Sequence, residues 1–599
     1  MGQLPTRAEI SSDLKWKLED IFPTDEAFLE ALAQLKASKE KVQSLRGTIT
    51  SGETLLNALT VRDEVMQLLD RIIVYSHMRK DEDNSNTKYQ GYADQAAAAA
   101  VELGSAGAFL EPEILALEPE EVRRWIQEIP GLKVYEHNLE DILRMKAHTL
   151  PAEQEQLLAA AGEMASAPGN IFRMFNNADL RFPEIKNEKG EMVELTHGRY
   201  IQFLESPNPE VREAAFKAMY ETYSEWKNTL GATYVAAVKK ELYFAKARKY
   251  GSSLEAALFA DNVAPEVYTN LISSIHDHLP LLHRYVRLRK RLLGLAELHM
   301  WDLYVPMVSG QDEFIPREDA VKIVQEGLQP LGEEYLGDLS QAFSEGWIDW
   351  LENRGKTSGA YSWGTYGVHP YVLMNYQGNL NDVFTLAHEL GHAMHSYYSN
   401  KNQEFVNADY RIFVAEVAST LNEALLIDDL LEKTADPKRR AYLINHYLEQ
   451  FRGTVFRQTM FAEFEMIVHD LVGRGEAVTC ERLSEIYYDL NKKYFGSDIV
   501  VDELIAMEWA RIPHFYRPFY VYKYATGFSA AVSLSQQILE EGEPARSRYL
   551  TFLGSGGSDY PINLLQKAGV DLSKPDPIIQ AMEVFDKLLS ELEQLESQL

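Results

Sequence analysis

The stretch VFTLAHELGHAMHSYY, residues 383–398, decides how this chain is read. On a helix, His388 and His392 lie four residues apart, so both imidazoles leave one face a turn apart and can share one metal ion. Glu389 is turned about 100° away. Its carboxylate is not drawn into the ligand set and can serve an activated water as general base. A motif this short arises by chance in roughly one such chain in thirty, so its surroundings must carry the argument. Asp382 stands where an N-cap is expected, with Thr385 at the third helical position, which starts the helix just before the motif. Val383, Phe384, Leu386, Ala387, Leu390, Ala393 and Met394 lie on most sides and mark a helix packed all round by protein. Buried His, Glu and His need partners there, since uncompensated polar groups cost about several kcal/mol each.

A catalytic metal site takes three protein ligands and leaves one position for water. A third His six residues after the second is excluded, because Tyr398 stands there. The downstream carboxylates are Glu404, Asp409, Glu416 and Glu423. The first two fall in the polar stretch SNKNQEFVNAD, expected to be a loop. The segment IFVAEVASTLNEALLIDDLL, 412–431, is helical in pattern and almost wholly apolar in its first half. Glu416 is the isolated charge of that half and is assigned as the ligand. Glu423, seven residues on along the same face, is read as a carboxylate supporting the ligands or the structure.

The series HELGHAMHSYYS, followed 24 residues after His392 by EVASTLNE, resembles the thimet oligopeptidase and oligoendopeptidase F family of zinc peptidases. GAYSWGTYGVHPYVLMNYQGNLNDVFTLA before it and IPHFYRPFYVYKYATGFSAA after it resemble the oligoendopeptidase F branch. Ala418 departs from the pattern, standing where thimet-type members usually have Pro, and touches no ligand position. The resemblance covers the chain from about residue 200 and, more loosely, its helical N-terminal part. It implies one zinc ion per chain on His388, His392 and Glu416. It also implies a mainly α, multi-helix ellipsoidal zincin-type fold, with a small β-sheet beside the HExxH helix and a deep channel admitting short unfolded peptides.

Elsewhere the chain is restrictive. Its 59 basic and 90 acidic side chains leave a net charge of −31, which opposes nucleic-acid or anionic-membrane binding by general electrostatics. The single cysteine, Cys480, excludes an intrachain disulfide, and with no apolar leader or spanning run the expected location is cytoplasmic. Oligomeric state is not legible. Residues 12–180 read as successive amphipathic helices, and 180–197 as a hairpin turning at Asn187 to Gly190. A helical domain 1–200 and a catalytic domain 201–599 are therefore expected. His276, His278 and His283 match no single helical face and are read as surface residues. Between 354 and 382 glycines break the helical pattern, and PYVLMNYQ, 370–377, reads as a strand whose free edge could pair with an extended peptide.

Peptide hydrolysis also needs donors for the oxyanion, and a Tyr hydroxyl or His N–H serves in a water-poor cleft. His514 and Tyr524 resemble the His and Tyr that related helical zinc peptidases place for this task, with Tyr516, Tyr520 and Tyr522 competing for it. The expected function is hydrolysis of internal bonds in short peptides, Glu389 taking the proton of the attacking water. A carboxypeptidase or peptidyl-dipeptidase on the same scaffold would need a cationic clamp for the substrate carboxylate, and none can be placed. A non-enzymatic peptide-binding protein would leave the complete constellation unexplained.

Overall fold

A computed structural model describes residues 4–308 and 314–599. Helices take up 73% of the chain and strands 3%, as a mainly α reading requires. No described helix is long and apolar enough to cross a membrane. Five short strands occur among the described residues: β1 (Glu184–Lys186), β2 (Met192–Glu194), β3 (Ile348–Asp349), β4 (Tyr361–Trp363) and β5 (Tyr371–Leu373).

The chain divides into two compact units, each discontinuous in sequence. The first comprises Met1–Ala147, Asp312–Leu430 and Leu534–Val570; the second comprises His148–Gln311, Leu431–Ser533 and Asp571–Leu599. The sequence boundary near residue 200 falls inside the second unit.

In the first unit, N-terminal helices such as Gly52–Glu82 and Thr87–Gly107 build a core from Leu55, Leu59, Ile72 and Ala96, which extends to Tyr371 and Leu373 of β5. The three-stranded sheet has the order β3-β5-β4, with β3 parallel and β4 antiparallel to β5. Lys356 ties it together: its buried Nζ pairs with Asp349 at 2.6 Å and donates to the carbonyls of Leu351 and Met374. Asp349 also accepts from Arg7, whose guanidinium reaches Glu82, so each buried charge meets an opposite one. β5 is the central strand, paired along both edges, which corrects the expectation that it presents a free edge. The free edge belongs to β4, which makes no backbone hydrogen bond outside the sheet among the described residues. Both β4 and β5 pack on the helix that carries HExxH.

In the second unit, β1 and β2 form the expected hairpin with Ile185 opposite Val193. Asn187 closes its turn by accepting the Lys189 and Glu191 N–H groups, and Gly190 takes a φ of 77°. Helices Pro265–Leu292, Arg457–Gly473 and Cys480–Phe495 make up much of the rest.

Candidate metal centre

The motif lies on the helix Leu380–Asn402, which starts earlier than Asp382. Asn379 is the N-cap and accepts the Asp382 N–H, while the Asp382 carboxylate accepts the N–H groups of Gln377, Gly378 and Asn379. Asp382 thus caps from the third helical position, because one carboxylate there serves several otherwise unpaired donors. Val383, Leu386, Ala387, Leu390, Ala393 and Met394 are fully buried, so protein surrounds the helix as its pattern requires.

The partner helix, Ile412–Lys433, crosses directly against the motif. Asn422 donates to the Ala387 carbonyl at 3.0 Å, and Gly391 lies on the Ala418–Ser419 backbone, where a β-carbon would meet Ser419 Cα at 2.5 Å. The approach brings Glu416 Oε2 to 3.3 Å from His388 Nε2 and 3.5 Å from His392 Nε2. Donors roughly 2.1 Å from a four-coordinate ion stand about 3.4 Å apart, so this set has the spacing that a shared metal needs. Glu416 is held by the Ser419 hydroxyl, which donates to Oε2 at 3.0 Å. Burial would raise its carboxyl, but hydrogen bonds from His388 and His392 hold it well below the ordinary carboxylate range.

Glu423 accepts from His388 Nδ1 at 2.6 Å. With Nδ1 engaged there, Nε2 is the nitrogen turned to Glu416, and the ring cannot swivel out of place. Burial disfavours a charged imidazole, yet the bonds to Glu416 and Glu423 prevail and push His388 up to about 10; a bound cation would displace that proton. Glu423→Gln is expected to weaken metal retention about 10- to 100-fold, measured by competition with a chelator. Unchanged affinity would reduce Glu423 to packing.

Glu389 is 7% exposed and stands outside the three-residue cluster. Burial raises its carboxyl above the ordinary value, against the opposing pull of His388 and His392. His395 also lies outside the cluster, buried and stacked on Tyr410 at 3.7 Å. Glu404 precedes the short helix Phe405–Ala408 in the stretch expected to be loop, and neither it nor Asp409 joins the cluster. The cluster of His388, His392 and Glu416 is the one potential metal-binding group among the described residues. His276, His278 and His283 are separately engaged, by Glu463, the Ser274 carbonyl and the Lys493 carbonyl. Beside the motif helix, a cavity of about 1130 Å³ is lined by Ser362–Tyr366, Ser396, Asp409 and Tyr410.

In the second unit, the stretch 512–524 brings His514 and Tyr524 together. The Tyr524 hydroxyl lies 3.5 Å from His514 Nε2, and Tyr520 packs on both, with ring centroids 5.4 Å from Tyr524 and 6.2 Å from His514. Burial and the nearby Arg457 and Arg517 keep His514 below its ordinary pKa, hence neutral. Tyr516 instead stacks on Phe172 at 4.4 Å, and the Tyr522 ring is fully buried against Tyr268. Ser419, Asn422 and the β4 edge were not singled out in the sequence. Ser419 had a signal, its position one turn after Glu416; Asn422 and β4 had none, because their partners are remote in sequence.

Two helices that supply an HExxH His pair and a carboxylate as the donor set, with the motif Glu beside it and outside it, form the site of a metallopeptidase. The sequence matches the profile of Peptidase family M3 over residues 202–584 and that of Oligopeptidase F over 113–182. The chain belongs to Peptidase family M3 and is a peptidase. It is 49% identical to Oligopeptidase PepF of Bacillus subtilis, over 99% of this chain and 89% of that one. It is 43% identical to the plasmid-encoded oligoendopeptidase F of Lactococcus lactis subsp. cremoris, over 98% of each. The crystal structure of oligoendopeptidase-F from Enterococcus faecium superposes with a TM-score of 0.75 at 40% identity, covering 96% of this chain and 99% of that one.

Proposed function

We propose that this peptidase is a zinc-dependent oligoendopeptidase acting on internal bonds of short, unfolded peptides. The observation that carries this reading is the His388–His392–Glu416 donor set, with Glu389 buried beside it and outside it. Two imidazoles and one carboxylate suit zinc and leave a position for water. When bound, zinc would supply Lewis acidity, acidifying that water and polarising the scissile carbonyl. His388, His392 and Glu416 would hold the ion, with Glu423 bonded to His388 and Ser419 to Glu416 to keep those two side chains in orientation. The Glu389 carboxylate takes the proton of the attacking water and passes it to the leaving amine. His514 and Tyr524 donate to the oxyanion, a role supported by their mutual packing and by the family resemblance. The free edge of β4 offers an extended peptide backbone a strand to pair with.

An exopeptidase on this scaffold makes a different product from one substrate. A quenched peptide of about ten residues, blocked at both ends, is expected to be cut internally by the zinc-loaded protein. Trimming of free-ended peptide alone would replace this reading with the exopeptidase one, and no cleavage despite bound zinc would overturn both.

A further inference from the structure

The chain turns sharply between His514 and Tyr524, at a residue poorly suited to turning. Phe519 has a φ of 51°, in the left-handed region where a bulky side chain is an outlier, and it is almost wholly buried. A conformation of this kind persists only if its surroundings impose it. Two grips do so, both from the helix Arg457–Gly473. The Phe519 N–H donates to Glu465 Oε1 at 2.6 Å, and the Phe519 ring packs at 4.6 Å on His469, one turn beyond Glu465. Tyr268 also packs on the ring, edge-on at 5.6 Å.

Glu465 itself has no other evident purpose. It is fully buried, no cation pairs with it among the described residues, and its Oε2 has no hydrogen-bond partner there. Burial drives the carboxyl well above its ordinary range, with the Phe519 N–H bond pulling the other way. A lone buried acid is costly and yields readily to an apolar residue unless it performs a task. Its one visible task is to accept a main-chain N–H that lies outside any helix or sheet ladder.

That N–H sits where placement matters. From Phe519 the chain enters the helix Tyr522–Glu541 through a first turn in which Lys523 N–H donates to the Tyr520 carbonyl and Tyr524 N–H to the Val521 carbonyl, both at 3.2 Å. The direction taken at Phe519 therefore sets where Tyr520 and Tyr524 point relative to His514. On the near side, His514 is secured by the Arg517 N–H, which donates to its carbonyl at 2.8 Å.

We propose that Glu465 is a positioning residue: by holding Phe519 in its left-handed turn, it sets the mutual placement of His514 and Tyr524. This rests on the reading of those two residues as oxyanion donors. Glu465 touches no reacting atom and acts only through the chain it anchors.

The test uses the full-length zinc-loaded enzyme and the blocked peptide. Glu465→Gln keeps an oxygen that can accept the Phe519 N–H and is expected to stay within about threefold of the parent kcat with an unchanged pH profile. Glu465→Met preserves bulk but removes the acceptor, and should lower kcat about 10- to 100-fold with KM within about twofold and zinc content unchanged. Amide exchange is followed alongside: the Phe519 N–H should be protected in the parent and in Glu465→Gln, and should exchange faster in Glu465→Met. Equal damage in both variants, or an unchanged kcat in Glu465→Met, would overturn the proposal. So would an unprotected Phe519 amide in the parent, which can be read even if Glu465→Met fails to fold. Tyr524→Phe and His514→Ala separate the two ideas: full activity in both removes the oxyanion reading, while the exchange of Phe519 still reports whether Glu465 holds the turn.

Discussion

Replacing Glu389 with Gln is expected to lower kcat by about 10³- to 10⁴-fold while zinc remains bound. The amide is isosteric, so the motif helix and its apolar surroundings are undisturbed, and Glu389 lies outside the donor cluster. The change removes a single capacity: the side chain can no longer accept a proton from the attacking water and return it to the leaving amine. KM should move little, since the loss falls on a step after binding. Kinetics on the blocked peptide, with zinc measured on the same sample, decide it. A variant that keeps its zinc and more than about a tenth of the parent kcat would show that another group is the base.

The second large effect is expected from one methyl group. In Gly391→Ala the new carbon would lie 2.5 Å from Ser419 Cα and 2.7 Å from the Ala418 carbonyl oxygen, both main-chain atoms that no rotamer change can move aside. The two helices must separate, at a cost of about 1–3 kcal/mol for overpacking. Ser419 would move with the Glu416 helix, and the distances of 3.3 and 3.5 Å between Glu416 and the histidines would open. Metal affinity should drop at least about 100-fold, together with a lower Tm of the chelator-treated protein. Unchanged zinc affinity would mean that the two helices do not set the donor spacing.

The two changes probe parts of the site that differ in how readable they are from sequence. His388, Glu389 and His392 lie within a single helical turn, so periodicity alone puts two on one face and the third off it. Glu416 is remote, yet remains legible because a lone charge in an apolar helical run needs a partner, and the histidines need a third ligand. Asp382 shows the limit of local reading: the residue type was right for capping, but Asn379 is the cap and Asp382 supports it from within the first turn. The helices and the β1–β2 hairpin follow from patterns within a few residues. Sheet order does not, because β3, β4 and β5 are each two or three residues long and nothing local states which strand lies in the middle.

What the sequence determined by itself is therefore the local pattern: a helix-borne His pair, a Glu off their face, a carboxylate on a second apolar helix, and a mainly helical chain of strong negative charge. Only the tertiary structure decided how these are held. Glu423 fixes the His388 ring, Gly391 admits the Glu416 helix, Lys356 binds the sheet whose β4 edge is free, and Glu465 grips the turn at Phe519. The reason is physical: helix periodicity and ligand type are carried by neighbours in the chain, whereas orientation comes from contacts between segments tens to hundreds of residues apart, which local pattern does not encode.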